Sequence, residues 1–133
     1  MDLRGATALV TGASGFVGGH VARRLAQDAG LRVRALVRDP ARRPVVDLHV
    51  PNLVVVQGDL TAPASLQAVA AGVDVVVHCA ADMRLRDAAV TWAVTVEGTR
   101  QVLQAARAGG ARALVHLSSI AVYGGGTRSD EDA

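Results

Sequence analysis

Thr11-Gly12-Ala13-Ser14-Gly15-Phe16-Val17-Gly18 is the stretch whose reading decides the fold. It follows Ala6-Thr7-Ala8-Leu9-Val10, a short run without polar alternation. Such a run reads as a strand buried on both faces, and strands of that kind belong to parallel sheets. Beyond the glycines, Phe16, Val17, His20, Val21, Arg24 and Leu25 recur at helical spacing, and Gly30 offers a stop. A glycine-rich turn between a buried strand and a helix is where a phosphate can be held. Gly12 permits the tight turn, Gly15 lets backbone approach a pyrophosphate, and Gly18 lets the helix pack closely on the sheet. The helix N-terminus adds unpaired N–H groups and a partial positive charge. The alternative is a glycine-rich turn without a ligand; its placement directly after a strand and opening a helix favours the phosphate site.

Working outward, the same alternation of strand and helix repeats. Leu31 to Val37 forms a second strand, which Arg38-Asp39-Pro40 ends because proline cannot continue a central ladder. Residues 40–52 hold three of the four prolines and show no clean period, so they read as a loop or short irregular helix. Leu53 to Gln57 is a third strand. Thr61 is placed to cap a helix running to about Ala71, with Pro63 in its first turn. Val73 to Cys79 makes a fourth strand. A longer helix spans roughly Asp87 to Ala108, with Val90, Val94, Val102, Leu103 and Ala106 as its apolar positions, and Gly109-Gly110 ends it. Ala113 to Leu117 is a fifth strand. Strands alternating with helices imply βαβ crossovers with right-handed connections. The expected architecture is α/β: a Rossmann-type, doubly wound parallel sheet of about five strands in order 3-2-1-4-5.

Composition agrees and excludes several classes. The chain has 133 residues, 50% apolar by the broad count and 20% charged, with a net charge of +2, which suits one folded domain and not a disordered one. Residues 1–123 form that domain, and the glycine-led, polar stretch 124–133 reads as a mobile tail. No apolar run reaches the roughly 18 residues of a membrane span. Met1-Asp2-Leu3-Arg4 lacks the apolar core of a secretory signal, and the lone Cys79 can form no internal disulfide, so a cytoplasmic location is expected. All 14 basic residues are arginine, so no lysine Schiff base or lysine-assisted proton transfer is available. The arginines are dispersed and only three aromatics are present, a poor fit to nucleic acid. His78, Cys79 and His116 do not assemble a metal-ligand set, and no metal site is expected.

Three further positions carry chemistry. Arg38 follows the second strand, where a nucleotide fold senses the adenosine ribose. An arginine there pairs with a 2′-phosphate and an acid with a free 2′-hydroxyl. Arg32, Arg34, Arg42 and Arg43 would raise the potential for an anion, which favours NADP, while Asp39 keeps NAD open. Asp59, after the third strand, lies either near an adenine amino group or at the cap of the helix beyond Thr61.

The motifs together resemble the extended short-chain dehydrogenase/reductase family, its NAD-dependent epimerase/dehydratase group. They are the glycine loop from Thr11, Leu36-Val37-Arg38-Asp39-Pro40, Gly58-Asp59-Leu60, His78-Cys79-Ala80-Ala81, and Val96-Glu97-Gly98-Thr99 leading to Leu117-Ser118-Ser119-Ile120-Ala121-Val122-Tyr123-Gly124. The resemblance implies that Gly12, Ser14, Gly15, Phe16, Val17 and Gly18 bind the pyrophosphate, Asp59 and Leu60 the adenine, and that Cys79, Ala80 and Ala81 line the cofactor path. Ser119 matches the active-site serine, which hydrogen-bonds the reacting oxygen of the substrate. Two departures stand beside these matches. Thr95 replaces the family's asparagine, and the Tyr-x-x-x-Lys acid/base pair is absent, since Tyr123 belongs to the preceding Tyr-Gly motif and no lysine exists. The expectation is an NAD(P)-binding part of an epimerase, dehydratase or reductase that lacks the family's C-terminal part and is catalytically incomplete. The alternatives are a non-catalytic NADP-binding sensor, or a fragment that only self-associates through the exposed edge of the fifth strand.

Overall fold

The computed structural model describes residues 3–82 and 87–123. The expected tail, 124–133, lies outside them. Five parallel strands, β1 (Thr7–Thr11), β2 (Arg32–Val37), β3 (Leu53–Gln57), β4 (Val75–His78) and β5 (Ala113–His116), pair in the order β3-β2-β1-β4-β5. Helix α1 (Phe16–Gln27) joins β1 to β2, and α2 (Pro63–Ala70) joins β3 to β4. Between β4 and β5 the chain runs through α3 (Ala88–Thr91), a π-helical turn (Trp92–Glu97) and α4 (Gly98–Ala108).

Alternation along each strand builds two cores. Ala8 and Val10, with Val33, Ala35, Val75 and Val77, face α1 and meet its small residues Ala22 and Ala26. Leu9, Leu36 and Val76 point the other way, onto Leu66 and Ala70 of α2 and Val102, Ala105 and Ala106 of α4. With so few aromatic residues, close approach replaces bulk: α1 buries Gly18, Gly19, Ala22 and Ala26, while Phe16 and Val17 stand exposed. Val21 and Leu25 of the expected stripe pack partly buried against this core, but the fully buried face is the small one. The same correction applies to the long helix, where Val102 and Ala106 are buried but Val90 and Leu103 are exposed.

Three local expectations change. The residue before α2 is Ala62 and supplies no side-chain cap, so Thr61 does not cap that helix. The segment 88–108 is not one uniform α-helix, since six of its residues form the π-helical turn. Asp87 does cap its start, accepting from the amides of Ala89 (2.8 Å) and Val90 (3.2 Å). Arg34, read as part of the anion site, instead donates to the carbonyls of Val69 (2.7 Å) and Ala71 (2.8 Å) at the negative end of α2. Together with Arg32 it belongs to the opening half of β2, away from the strand ends that carry the glycine loop.

The ends of α2 and α4 touch backbone to backbone. The Gly72 amide donates to the Gly109 carbonyl (3.1 Å), and a Cβ at Gly109 would collide with the Ala70 carbonyl oxygen. Backbone cannot yield as a side-chain tip can, so Gly109→Ala is expected to lower stability by about 2 kcal/mol or more. The urea midpoint checks this; a midpoint equal to that of the parent chain would show that the α2–α4 junction is not held by this contact.

Candidate functional site

The carboxyl ends of the strands bring the predicted residues to one edge of the sheet. Gly12 follows β1, Arg38 follows β2, Gly58 follows β3, Cys79 follows β4, and Ser119 lies just past β5. The strand order reverses between β1 and β4, the place where an open α/β sheet leaves a crevice. There the two turns touch. Gly12 has φ +69°, and a Cβ on it would lie 2.8 Å from the amide nitrogen of Ala80. A Cβ at Gly18 would meet the Gly12 carbonyl, so both glycines are needed for this approach. Gly15 begins α1 in extended conformation, with no side chain bonded to the first-turn amides and no acidic residue in that turn. Those N–H groups and the positive helix end are open to an anion. Ser14 and Val17 are exposed, and Phe16 packs edge-on against His20 with ring centroids 4.7 Å apart.

At the corner made by β2 and β3, Arg38 is exposed and its carbonyl accepts from Gln57 Nε2 (3.3 Å). Asp39 Oδ1 accepts the Ala41 amide (3.0 Å), which turns that carboxylate toward its own loop. Asp59 Oδ1 accepts both the amide (2.8 Å) and the hydroxyl (2.7 Å) of Thr61. These bonds, the amide first, hold the Asp59 carboxyl below its usual range, and the Arg38 guanidinium acts in the same direction. Asp59 thus braces the turn ahead of α2 without capping the helix. The Leu60 side chain is buried against Gly98, where a glycine Cβ would stand 2.9 Å from Leu60 Cβ, so it serves the core and not the crevice.

Behind the crevice runs a buried polar chain through Thr11, His78 and Thr99. Thr11 Oγ1 lies 2.6 Å from His78 Nδ1 and accepts the Ala80 amide (3.3 Å), while His78 Nε2 lies 2.9 Å from Thr99 Oγ1. The Thr99 hydroxyl donates to the Thr95 carbonyl. Each hydroxyl has one proton, so the consistent assignment has Thr11 donating to Nδ1 and Nε2–H donating to Thr99. His78 is then a neutral imidazole with both nitrogens used. Burial, assisted by His116 stacked at 5.2 Å, pushes its pKa down to about 4. A signal for this was present: Thr11 and His78 are polar residues ending otherwise apolar strands. Beside it, Cys79 is half-buried and its thiol is pushed up by burial, which disfavours the thiolate.

Ser119 is exposed and opens a 3₁₀ turn (Ile120–Tyr123), its Oγ accepting the Ala121 amide (3.2 Å). The Leu117 amide donates to the His78 carbonyl (3.0 Å), which sets the start of the Ser119 loop beside the Cys79–Ala81 turn. Thr95 lies in the π-helical turn and accepts the Asp82 amide at Oγ1 (3.1 Å). A cavity of about 590 Å³ lies elsewhere. Thr7, Arg32, Arg34, Asn52, Leu53 and Gly72 line it at the opposite edge of the sheet. That groove is open and shares no residue with the glycine loop.

Known proteins resemble this chain along most of its length. Residues 8–133 match the NAD dependent epimerase/dehydratase family. A ceramide reductase of Caulobacter vibrioides is 41% identical over 99% of this chain and 42% of its own length. A 3-beta-hydroxysteroid dehydrogenase of Mycolicibacterium neoaurum is 34% identical over 89% of this chain and 33% of its own. Among solved structures, a variant of uronate dehydrogenase from Agrobacterium tumefaciens complexed with NAD superposes with a TM-score of 0.73. It shares 29% identity over 86% of this chain and 41% of the other. The chain therefore spans about two-fifths or less of these relatives. No helix among the described residues is long and apolar enough to cross a membrane.

The neutral His78 has a consequence for stability. Its pKa falls from 6.5 to about 4 on folding, so between these values the unfolded chain binds more protons. Stability is complete above about pH 6.5 and is lost as pH falls toward 4. By linkage the loss at pH 5 relative to pH 8 is about 2 kcal/mol from this group. Urea unfolding at the two pH values checks it, with His78→Asn as the control that is less stable at pH 8 but loses less on acidification. Equal losses in parent and variant would assign the acid sensitivity to other groups.

Proposed function

The chain belongs to the NAD dependent epimerase/dehydratase family, and we propose on that premise that it binds a nicotinamide dinucleotide with its pyrophosphate on the Gly12–Gly18 loop. The observation that carries this reading is the backbone contact of Gly12 with Ala80 beside the uncapped first turn of α1. Gly12, Ser14, Gly15, Phe16, Val17 and Gly18 would hold the pyrophosphate, Asp59 and the backbone at Leu60 the adenine end, and Cys79, Ala80 and Ala81 the path toward the nicotinamide. The bound cofactor supplies hydride transfer to or from a substrate carbon. NADP is preferred to NAD because Arg38 is exposed at the ribose corner while one oxygen of Asp39 is engaged by its own loop. Ser119 would hydrogen-bond the reacting oxygen of a carbonyl or alcohol. With no lysine and with Tyr123 as the sole tyrosine, these 133 residues carry no Tyr–Lys acid/base pair, so turnover by them alone is not expected.

Calorimetric titration with NADPH and NADH tests this. NADPH should bind, and Arg38→Ala should weaken it about tenfold while changing NADH by less than twofold, the loss of one charge-assisted contact. A folded chain that takes up neither nucleotide overturns the reading.

One observation favours a second role in association. Among the described residues β5 pairs with β4 alone, and its Val115 and the following Leu117 are exposed. An edge of this kind pairs with another copy of itself. Light scattering should show mass rising above that of the monomer with concentration, and Val115→Lys should abolish the rise. A monodisperse monomer at high concentration rules the association out.

A further inference from the structure

The connection from β2 to β3, residues 38–52, has almost no regular structure, yet two of its residues are buried: Val46 at 7% and Leu48 at 3% exposure. Leu48 joins the core on the α1 face of the sheet. Val46 fills the notch that Gly19 leaves in α1. A Cβ at Gly19 would stand 2.8 Å from Val46 Cβ and 3.0 Å from its Cγ2. One residue earlier, the Val45 amide donates to the carbonyl of Ser14 (3.0 Å), in the middle of the glycine loop. The connection is therefore fastened to the phosphate loop by a hydrogen bond and to the helix behind it by a buried side chain.

The stretch between Asp39 and Val45 is held at both ends. Asp39 Oδ1 accepts the Ala41 amide (3.0 Å), and the Asp39 carbonyl accepts the Arg42 amide (3.2 Å). Pro44 fixes its own φ and confines Arg43 to extended backbone. Arg43 is two residues from the Val45–Ser14 bond, so its Cα lies within about 7.6 Å of that of Val45. Arg42 and Arg43 are both exposed, as is Arg38 at the other end of the stretch. Three guanidinium groups thus come from a segment whose position is set by the loop expected to hold the pyrophosphate.

We propose that Val45 and Val46 form a latch on the glycine loop that positions Arg42 and Arg43 for a phosphate on the adenosine ribose, making Val46 a positioning residue for discrimination between NADPH and NADH. The proposal rests on the cofactor reading above and adds where the discrimination is built. A 2′-phosphate carries up to two negative charges and accepts several guanidinium hydrogen bonds, whereas a 2′-hydroxyl gains little from the same groups. A loosened latch disperses the arginines without altering the glycine loop's own turn. It therefore weakens one nucleotide and spares the other.

The test is calorimetric titration of the full 133-residue chain with NADPH and with NADH, for the parent, Val46→Ala, Arg43→Ala and the double variant. Val46→Ala is expected to weaken NADPH about fivefold or more and NADH less than twofold. The double variant should be no worse than the more affected single variant, because both act through one contact. Val46→Ile, which keeps the branched Cβ in the Gly19 notch, should retain the parent ratio. Pro44→Gly leaves the core intact and should shift the ratio in the same direction if Val46→Ala does not fold. Equal weakening of both nucleotides overturns the proposal, as does an unchanged ratio in folded variants. In either case NADPH binding by the parent chain leaves the cofactor reading standing. A folded parent that binds neither nucleotide overturns both.

Discussion

Everything at the working edge of this molecule depends on the absence of a side chain at Gly12. Its backbone lies against the amide of Ala80, so the turn after β1 and the turn after β4 form one surface. Any Cβ there would drive the turns apart and, at φ +69°, would itself be strained. The contact is not left to glycine alone. The Thr11 hydroxyl accepts the Ala80 amide and joins His78, which joins Thr99, so strand ends and helix are tied through one imidazole. A buried polar chain of this kind has value only when every member is satisfied. Here each hydroxyl and ring nitrogen has a partner, and the neutral histidine follows from that geometry as much as from its burial.

A core made of small residues has a second consequence. Close approach of backbone substitutes for aromatic bulk at Gly18 on Gly12, at Gly19 under Val46, at Gly98 under Leu60 and at Gly109 on Ala70. Dispersion contacts fall off steeply with distance, so such packing is effective only when the elements sit very close together. The glycines of α1 are therefore doing two jobs. Gly18 serves the phosphate turn, and Gly19, one residue later, opens the notch that fastens the β2–β3 connection to that turn.

The strands, their order and the alignment of site residues at one edge were legible in the sequence, because unbroken apolar runs and a glycine turn leave few alternatives for a parallel sheet. Less was legible wherever tertiary contact overrides periodicity. Val90 and Leu103 fit a helical stripe but stand exposed, since the sheet accepts the Val102, Ala105 and Ala106 face. Arg32 and Arg34 lie within ten residues of Arg42 in sequence but belong to the opening half of β2. Arg34 there caps the end of α2, a helix that follows thirty residues later. The irregular stretch 40–52 gave no period to read, and its anchor points on Ser14 and Gly19 are visible only once α1 is in place.

The π-helical turn ties the helix behind the crevice to the segment that leaves β4. Thr95 stands where the resemblance calls for asparagine, and the helix widens from Trp92 to Glu97 around it. The Thr99 hydroxyl donates back to the Thr95 carbonyl, a bond from residue i to residue i−4 that bends helices. The Thr95 hydroxyl meanwhile accepts the Asp82 amide, and Asp82 Oδ2 accepts the Thr91 hydroxyl at 3.1 Å. A π turn inserts one residue into the helical register. Along this segment Thr91 and Thr95 both reach the Asp82 segment that leaves β4, while Thr99 stays on His78. The widened turn and the histidine chain are thus one device, which carries the position of the sheet's central strands into the helix behind the crevice.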